Sequence, residues 1–267
     1  MKIRLKSFLI ITVFITICLS FSACKNQTED TQSLTFNKIS TIGELAEDSK
    51  TEDDNLIYLT EYGEYEPYII LSNNYNDSVL LIRKNLSEEK IQYNTKAIFG
   101  TGGNYYAESN IDKYLNNEYI ERYSTDLRQN ILNTKISITD KETINRGNYQ
   151  RNTEIIERKM FLLSAEEVGI RNSCLAKEGN QLSWFDNENK LYSSEPQWLR
   201  TPYLWDDTHA WILDNQYNFS ENITGKHSFR PALTFSRDLK IKKVKHDNND
   251  IYVLDVDNIK LDVDNIK

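Results

Sequence analysis

Three short apolar runs, Leu56-Ile57-Tyr58-Leu59, Tyr68-Ile69-Ile70-Leu71 and Val79-Leu80-Leu81-Ile82, limit the fold more than any other feature of the chain. Each is strand-length, rich in β-branched or aromatic residues, and bounded by the Gly, Asn and Asp that favour turns. The cluster Asn73-Asn74-Tyr75-Asn76-Asp77 between the last two marks a hairpin. Further strand-like stretches cover residues 160–163, 197–200, 210–213, 229–235 and 251–256.

Short helices are interleaved with these strands. Ser109, three residues before Asp112, opens a segment with Ile111, Tyr114 and Leu115 on one face, closed by Asn116-Asn117. Ser124 leads into residues 126–132, where Leu127, Ile131 and Leu132 are apolar. Ser164-Ala165-Glu166-Glu167 is a capping box, in which each end residue satisfies the other's amide, and it predicts a helix of one to two turns ending at Gly169. The expected class is α+β, a mixed sheet with short helices.

The N-terminus reads as an export signal. Lys2, Arg4 and Lys6 precede an apolar run over residues 8–19, which closes on Phe21-Ser22-Ala23-Cys24. The run is about a dozen residues, short of the roughly 20 that span a bilayer. The small residues before Cys24 resemble a bacterial lipobox, with Phe21 where Leu is usual. That resemblance implies cleavage before Cys24 and lipidation of its thiol, and so anchoring to the extracytoplasmic face of the cell membrane.

Two charge and cysteine counts narrow the partners. Without residues 1–23, 29 basic and 40 acidic residues remain, a net −11. Nucleic acid is excluded as a partner, because phosphate binding needs a basic stripe. The one dense basic run, Lys240 to Lys245, is short and is followed by Asp247 and Asp250, so it reads as a solvated strand edge. The cysteines are Cys18, Cys24 and Cys174, which leaves Cys174 as a lone thiol beyond the signal. With no internal disulfide the domain needs an ordinary hydrophobic core, and residues 55–238 are enough to form one. Beside Leu175 and Ala176, Cys174 reads as a small buried hydrophobe.

The expected organisation is a signal peptide over 1–23, a polar spacer over 24–54 (with Ile39, Ile42 and Leu45 able to make a transient turn), an α+β domain over 55–238, and a strand and tail over 239–267. The tail contains a direct heptad repeat, residues 254–260 and 261–267. Its Asp-x-Asp-Asn pattern lacks the glycine and distal glutamate of an EF-hand.

Three ordered blocks carry a family resemblance. Tyr105-Tyr106-Ala107-Glu108-Ser109-Asn110-Ile111-Asp112-Lys113-Tyr114-Leu115-Asn116 is the first and Met160-Phe161-Leu162-Leu163-Ser164-Ala165-Glu166-Glu167 the second. Trp198-Leu199-Arg200-Thr201-Pro202 with Arg230-Pro231-Ala232-Leu233 is the third. Together they resemble the bacterial family catalogued as domain of unknown function 6273, over roughly residues 56–236. Tyr114, Lys113 and Thr201 stand where that family carries Trp, Arg and Ser. The family is distantly similar to the formylglycine-generating-enzyme and C-type-lectin group. That similarity implies a lectin-like sheet, a core indole at Trp198, and an Arg230 guanidinium pinning a loop to the sheet. The enzymes of that group use active-site cysteines, so their chemistry does not carry over to a chain left with Cys174.

All four tryptophans, Trp184, Trp198, Trp205 and Trp211, fall within residues 184–211. Trp198 and Trp211 have strand-like flanks and read as core. Trp184 and Trp205 stand among Asn and Asp, where an exposed indole can stack on a ligand while neighbours hydrogen-bond it. The candidate ligand-binding residues are Trp184, Tyr203, Trp205, Asp206 and Asp207. Glu195, Asp206 and Asp207 echo lectin calcium motifs, but no cofactor is expected. Asp207-Thr208-His209 suggests acid–base work, without a nucleophile elbow, zinc spacing or phosphate loop around it. The expected function is a lipid-anchored surface protein that binds an extracellular glycan or protein without catalysis. The alternatives are an envelope polysaccharide hydrolase and a structural module of an envelope complex.

Overall fold

The computed structural model describes residues 39–48, 55–146, 151–172, 175–186, 195–214 and 219–256. Cys24, Cys174 and most of the C-terminal repeat lie outside them.

Within the stretch expected as spacer, α1 (Ile42–Asp48) forms and adds Ile42 and Leu45 to the core. Thr41 and Glu44 cap it reciprocally: Thr41 Oγ1 accepts from the Glu44 amide at 3.2 Å, and Glu44 Oε2 accepts from the Thr41 amide at 3.1 Å. Gly43 lies against the backbone, since a Cβ there would meet the Arg237 carbonyl at 2.8 Å.

The three apolar runs form a meander of β1 (Leu56–Glu61), β2 (Glu64–Tyr75) and β3 (Ser78–Arg83). Its turns, Tyr62-Gly63 and Asn76-Asp77, have positive φ at both positions (52° and 92°, 51° and 62°). That geometry matches the twist of antiparallel strands. β3 is buried along its whole length, as an unbroken apolar run demands. β2 runs on to Tyr75, with register shifts after Ile70 and Ser72.

Beyond the short β4 (Ile91–Gln92), helices α2 (Asn110–Asn117) and α3 (Thr125–Asn130) start at the expected caps. Ser109 Oγ accepts from the Asp112 amide at 3.1 Å and Ser124 Oγ from the Leu127 amide at 3.2 Å. β5 (Thr134–Thr139), α4 (Lys141–Arg146) and β6 (Thr153–Arg158) then form a two-stranded ribbon with its connection, followed by β7 (Met160–Phe161). The Ser164 capping box is made, but the expected helix is a single turn. The Ile170 amide bonds the Ala165 carbonyl at 2.8 Å and the Gly169 amide the Glu166 carbonyl at 3.0 Å. This is a Schellman closure, with Gly169 at φ +82°.

Strands β8 (Gln197–Pro202), β9 (His209–Leu213) and β10 (Phe219–Asn222) make a three-stranded sheet, and β11 (Lys226–His227) pairs with β4. β12 (Ala232–Ser236), β13 (Ile241–His246) and β14 (Asn249–Leu254) complete the main sheet, ordered β13-β14-β1-β2-β3-β12-β7. Only part of the expected 229–235 strand forms. The lysines of the basic run line the sheet's outer edge on β13, with Lys242 paired to Asp255 and Lys245 to Asp250. The fold is thus mixed α+β, mostly sheet, with few short helices.

Candidate functional site

The residues of the sequence blocks converge in the interior. Arg200, 0% exposed, spends all five N–H groups inside the protein. Nη1 and Nη2 grip Glu167 at 2.7 and 3.0 Å, and the remaining donors reach the carbonyls of Ser137, Leu162 and Glu178. Glu167 also accepts from the Ser164 amide and the Tyr75 hydroxyl. Glu178 accepts from the Thr139 amide and hydroxyl at 2.7 Å and from the Thr201 hydroxyl, which in turn accepts from the Ala165 amide. Burial pushes the Glu178 carboxyl up, against the pull of Arg200 and those hydrogen bonds. A network this closed leaves no group free for a substrate. Ser or Thr at position 201 serves it equally, because the hydroxyl makes both contacts.

Trp198 is a core indole whose Nε1 donates to the Ile91 carbonyl at 2.8 Å, and Arg230 Nε bonds the Lys84 carbonyl at 3.1 Å. Both have the structural roles expected of them. Burial, then the nearby Arg83, pushes Arg230 down to about 10. A second buried cluster had no signal in the sequence: Glu61 Oε1 accepts from the Tyr68 hydroxyl at 2.6 Å and Arg83 Nε at 3.0 Å. Arg122 lies over the Tyr119 ring at 4.2 Å and pairs with Glu89 at 2.7 Å.

The surface tells a different story. Trp205 is 57% exposed, in the turn between β8 and β9. Beside it, the loop before Asn104 carries Ile98 and Phe99, 57% and 75% exposed. The two loops are joined by buried side chains. Asp207 accepts from the Gly100 amide at 3.0 Å and the Gly102 amide at 2.6 Å. Asn104 donates to the Tyr203 and His209 carbonyls at 3.1 and 2.7 Å. Gly100 and Gly102 have φ of +81° and +69°, the left-handed conformations that turn successive amides toward one carboxylate.

Of the residues expected to bind ligand, Tyr203, Trp205, Asp206 and Asp207 share this region. Tyr203 is half-buried and packs edge-on to Trp211 and His209. Asp206 Oδ1 accepts from the Thr208 amide and hydroxyl, and Oδ2 lies 3.2 Å from His209 Nδ1. Partial burial opposes ionisation, but the Thr208 bonds and His209 hold the Asp206 carboxyl below its ordinary value. The Thr208 hydroxyl donates to Asp206 at 2.6 Å and lies 3.0 Å from His209 Nδ1. Trp184 is buried against Phe185 in a 3₁₀ turn, Ser183–Phe185. Glu195 pairs with Lys90 at 3.0 Å and accepts from the Ser228 hydroxyl, while Asp207 is committed to the glycine amides. Among the described residues no group of three metal-ligating side chains converges. Ile98 and Phe99, which sequence reasoning missed, follow no stacking motif; their exposure depends on the glycine loop after them.

A polar cleft of about 350 Å³ lies elsewhere, lined by Glu166, Gly169, Ile170, Arg171, Asn172 and Gln181. It has no aromatic wall, and Gln181 bonds Asp186 at 2.7 Å.

The family described as Domain of unknown function (DUF6273) matches residues 76–236. No curated protein and no solved structure matches the chain.

Proposed function

Starting from the chain's membership of the DUF6273 family, we propose that it is a lipid-anchored extracytoplasmic recognition protein. Its ligand-binding face is formed by Trp205, Tyr203, Ile98 and Phe99. Cys24 is the anchor in this reading, residues following it are the tether, and the folded domain has a distant kinship with C-type lectins. The observation that carries the binding face is the exposure of Trp205 and Phe99 on two loops fastened together by Asp207 and Asn104. Large aromatic groups held rigid at the surface lose little entropy on binding. Asp206 and His209 rim this face as half-exposed polar groups, whereas Asp207 positions the loops. The ligand is an extracellular glycan or protein, and no turnover is involved.

Two experiments test the two halves of the proposal. Cys24→Ser releases the protein from membranes; continued membrane partitioning would refute the lipid anchor. A glycan array probed with residues 25–267, with and without calcium, retains the domain on a defined set of sugars if the ligand is a glycan. A blank array in both conditions would sink the lectin-like reading.

A further inference from the structure

The β5–β6 ribbon is paired in continuous register, from Thr134↔Arg158 to Thr139↔Thr153, without a bulge. One face turns Ile136 and Ile138 into the core, and the other displays Ile155, 62% exposed. The β5 side is covered, since Arg200 Nε reaches the Ser137 carbonyl at 3.0 Å. Among the described residues no strand pairs with the far edge of β6. In an antiparallel pair every second residue turns its N–H and C=O away from its partner, so this edge presents unpaired backbone groups. Arg158 Nη1 covers one acceptor, the Glu157 carbonyl, at 2.9 Å. The other long edge of the protein is guarded differently. β13 carries Lys242, Lys243 and Lys245, charges that deter strand pairing. Of the charges on β6, Glu154 and Arg158 are held by Tyr105 and Asp112, and the Glu157 side chain alone has no such hydrogen-bond partner among the described residues.

We propose that β6 is an interface between two copies of this chain, pairing antiparallel about a two-fold axis at Ile155 to give a four-stranded sheet. The sequence Thr153-Glu-Ile-Ile-Glu-Arg158 is self-complementary in that register. On the exposed face Ile155 meets Ile155 of the second copy and each Thr153 meets a Glu157, so apolar meets apolar and hydroxyl meets carboxylate, while on the inner face each Glu154 stands opposite an Ile156. Centring on Glu154 would oppose two carboxylates, and centring on Ile156 would set Ile155 against Glu157. On the opposite face Glu154 is held by the Tyr105 hydroxyl at 2.6 Å and Arg158 by Asp112 at 2.8 Å, so neither charge is loose. Six residues a side is well below the roughly 20–30 of a stable complex, and the association is therefore weak and concentration-dependent.

The test uses the full chain in mild detergent, with Cys18, Cys24 and Cys174 each replaced by Ser. Directly opposed residues of a hydrogen-bonded pair have Cα atoms about 5.5 Å apart, inside the disulfide range. Ile155→Cys is expected to yield a covalent dimer on oxidation, and Glu157→Cys, set apart from its own copy, far less. Ile155→Lys is expected to abolish the concentration-dependent dimer in sedimentation while leaving the circular dichroism unchanged, because the position is exposed. A chain that stays monomeric at every attainable concentration would overturn the proposal. So would a dimer indifferent to Ile155→Lys, or equal cross-linking at 155 and 157. These residues are distinct from those of the Trp205 face, so either reading can fail without the other.

Discussion

Arg200 and Glu167 form a fully buried ion pair in which each donor of the guanidinium and both carboxylate oxygens are used. Removing one member strands the other in a medium that cannot solvate it. Glu167→Ala should therefore cost about 3–5 kcal/mol of stability, measured by chemical denaturation. His227 gives a pH-dependent signature. Desolvation at the Trp198 ring, 4.7 Å away, holds its imidazole below the ordinary value of 6.5. The unfolded chain then takes up the proton before the folded one does. The contribution is complete above pH 6.5 and is lost as pH falls toward the lower folded value. Stability should decline with acidification across that window, and His227→Gln should flatten the decline in denaturation curves taken at several pH values. At this scale the sequence was only partly informative. The Trp198 role was legible from its strand-like flanks, and the Arg230 role only from the family resemblance. The Arg200–Glu167 pairing was not, because residues 33 apart meet only through the fold. Asp206 and Asp207 look alike in sequence, yet one rims the surface and the other is enclosed by glycine amides.

Turn chemistry explains much of what was legible among the elements. The meander, α2 and α3 announce themselves by apolar runs, turn residues and serine caps. The turn at Ser164 follows the same reasoning: the capping box forms, and Gly169 closes the helix after a single turn, the short end of the expected one to two. At φ +82°, Gly169 accepts a Cβ poorly, and the Gln181 side chain lies 3.1 Å from where it would sit. Gly169→Ala should cost about 1–2 kcal/mol, seen as a lowered denaturation midpoint, while Glu166→Ala in the same turn should change little. The β5–β6 ribbon has no unbroken apolar run like that of β3; Thr134-Lys-Ile-Ser-Ile-Thr139 alternates apolar and polar residues, the weaker pattern of a half-buried strand. The short pattern Ile39, Ile42, Leu45 in a polar stretch predicts only a transient turn; packing of Ile42 and Leu45 in the core supplies the stability that the length of α1 does not.

For the whole molecule, the family match begins at residue 76, yet β1, β2, β13 and β14 lie outside it and belong to the same sheet. The conspicuous motif residues organise the interior, and three exposed large apolar groups, Ile98, Phe99 and Trp205, share the two joined loops, while Tyr62, Leu132, Ile155 and Phe219 are exposed at separate places. That division of labour is the basis for assigning recognition to the surface and scaffold duty to the motifs. Composition pointed to an acidic, disulfide-free domain with an ordinary core, whereas the pairing of its two loops required the fold. The most direct measurement is binding of a ligand retained on the array by the wild-type chain, Trp205→Ala and Phe99→Ala, each checked for an unchanged denaturation midpoint. Both variants should lose about tenfold or more in affinity, as hot-spot truncations do. Undiminished binding by the two variants, with the fold intact, would contradict the assignment of this face.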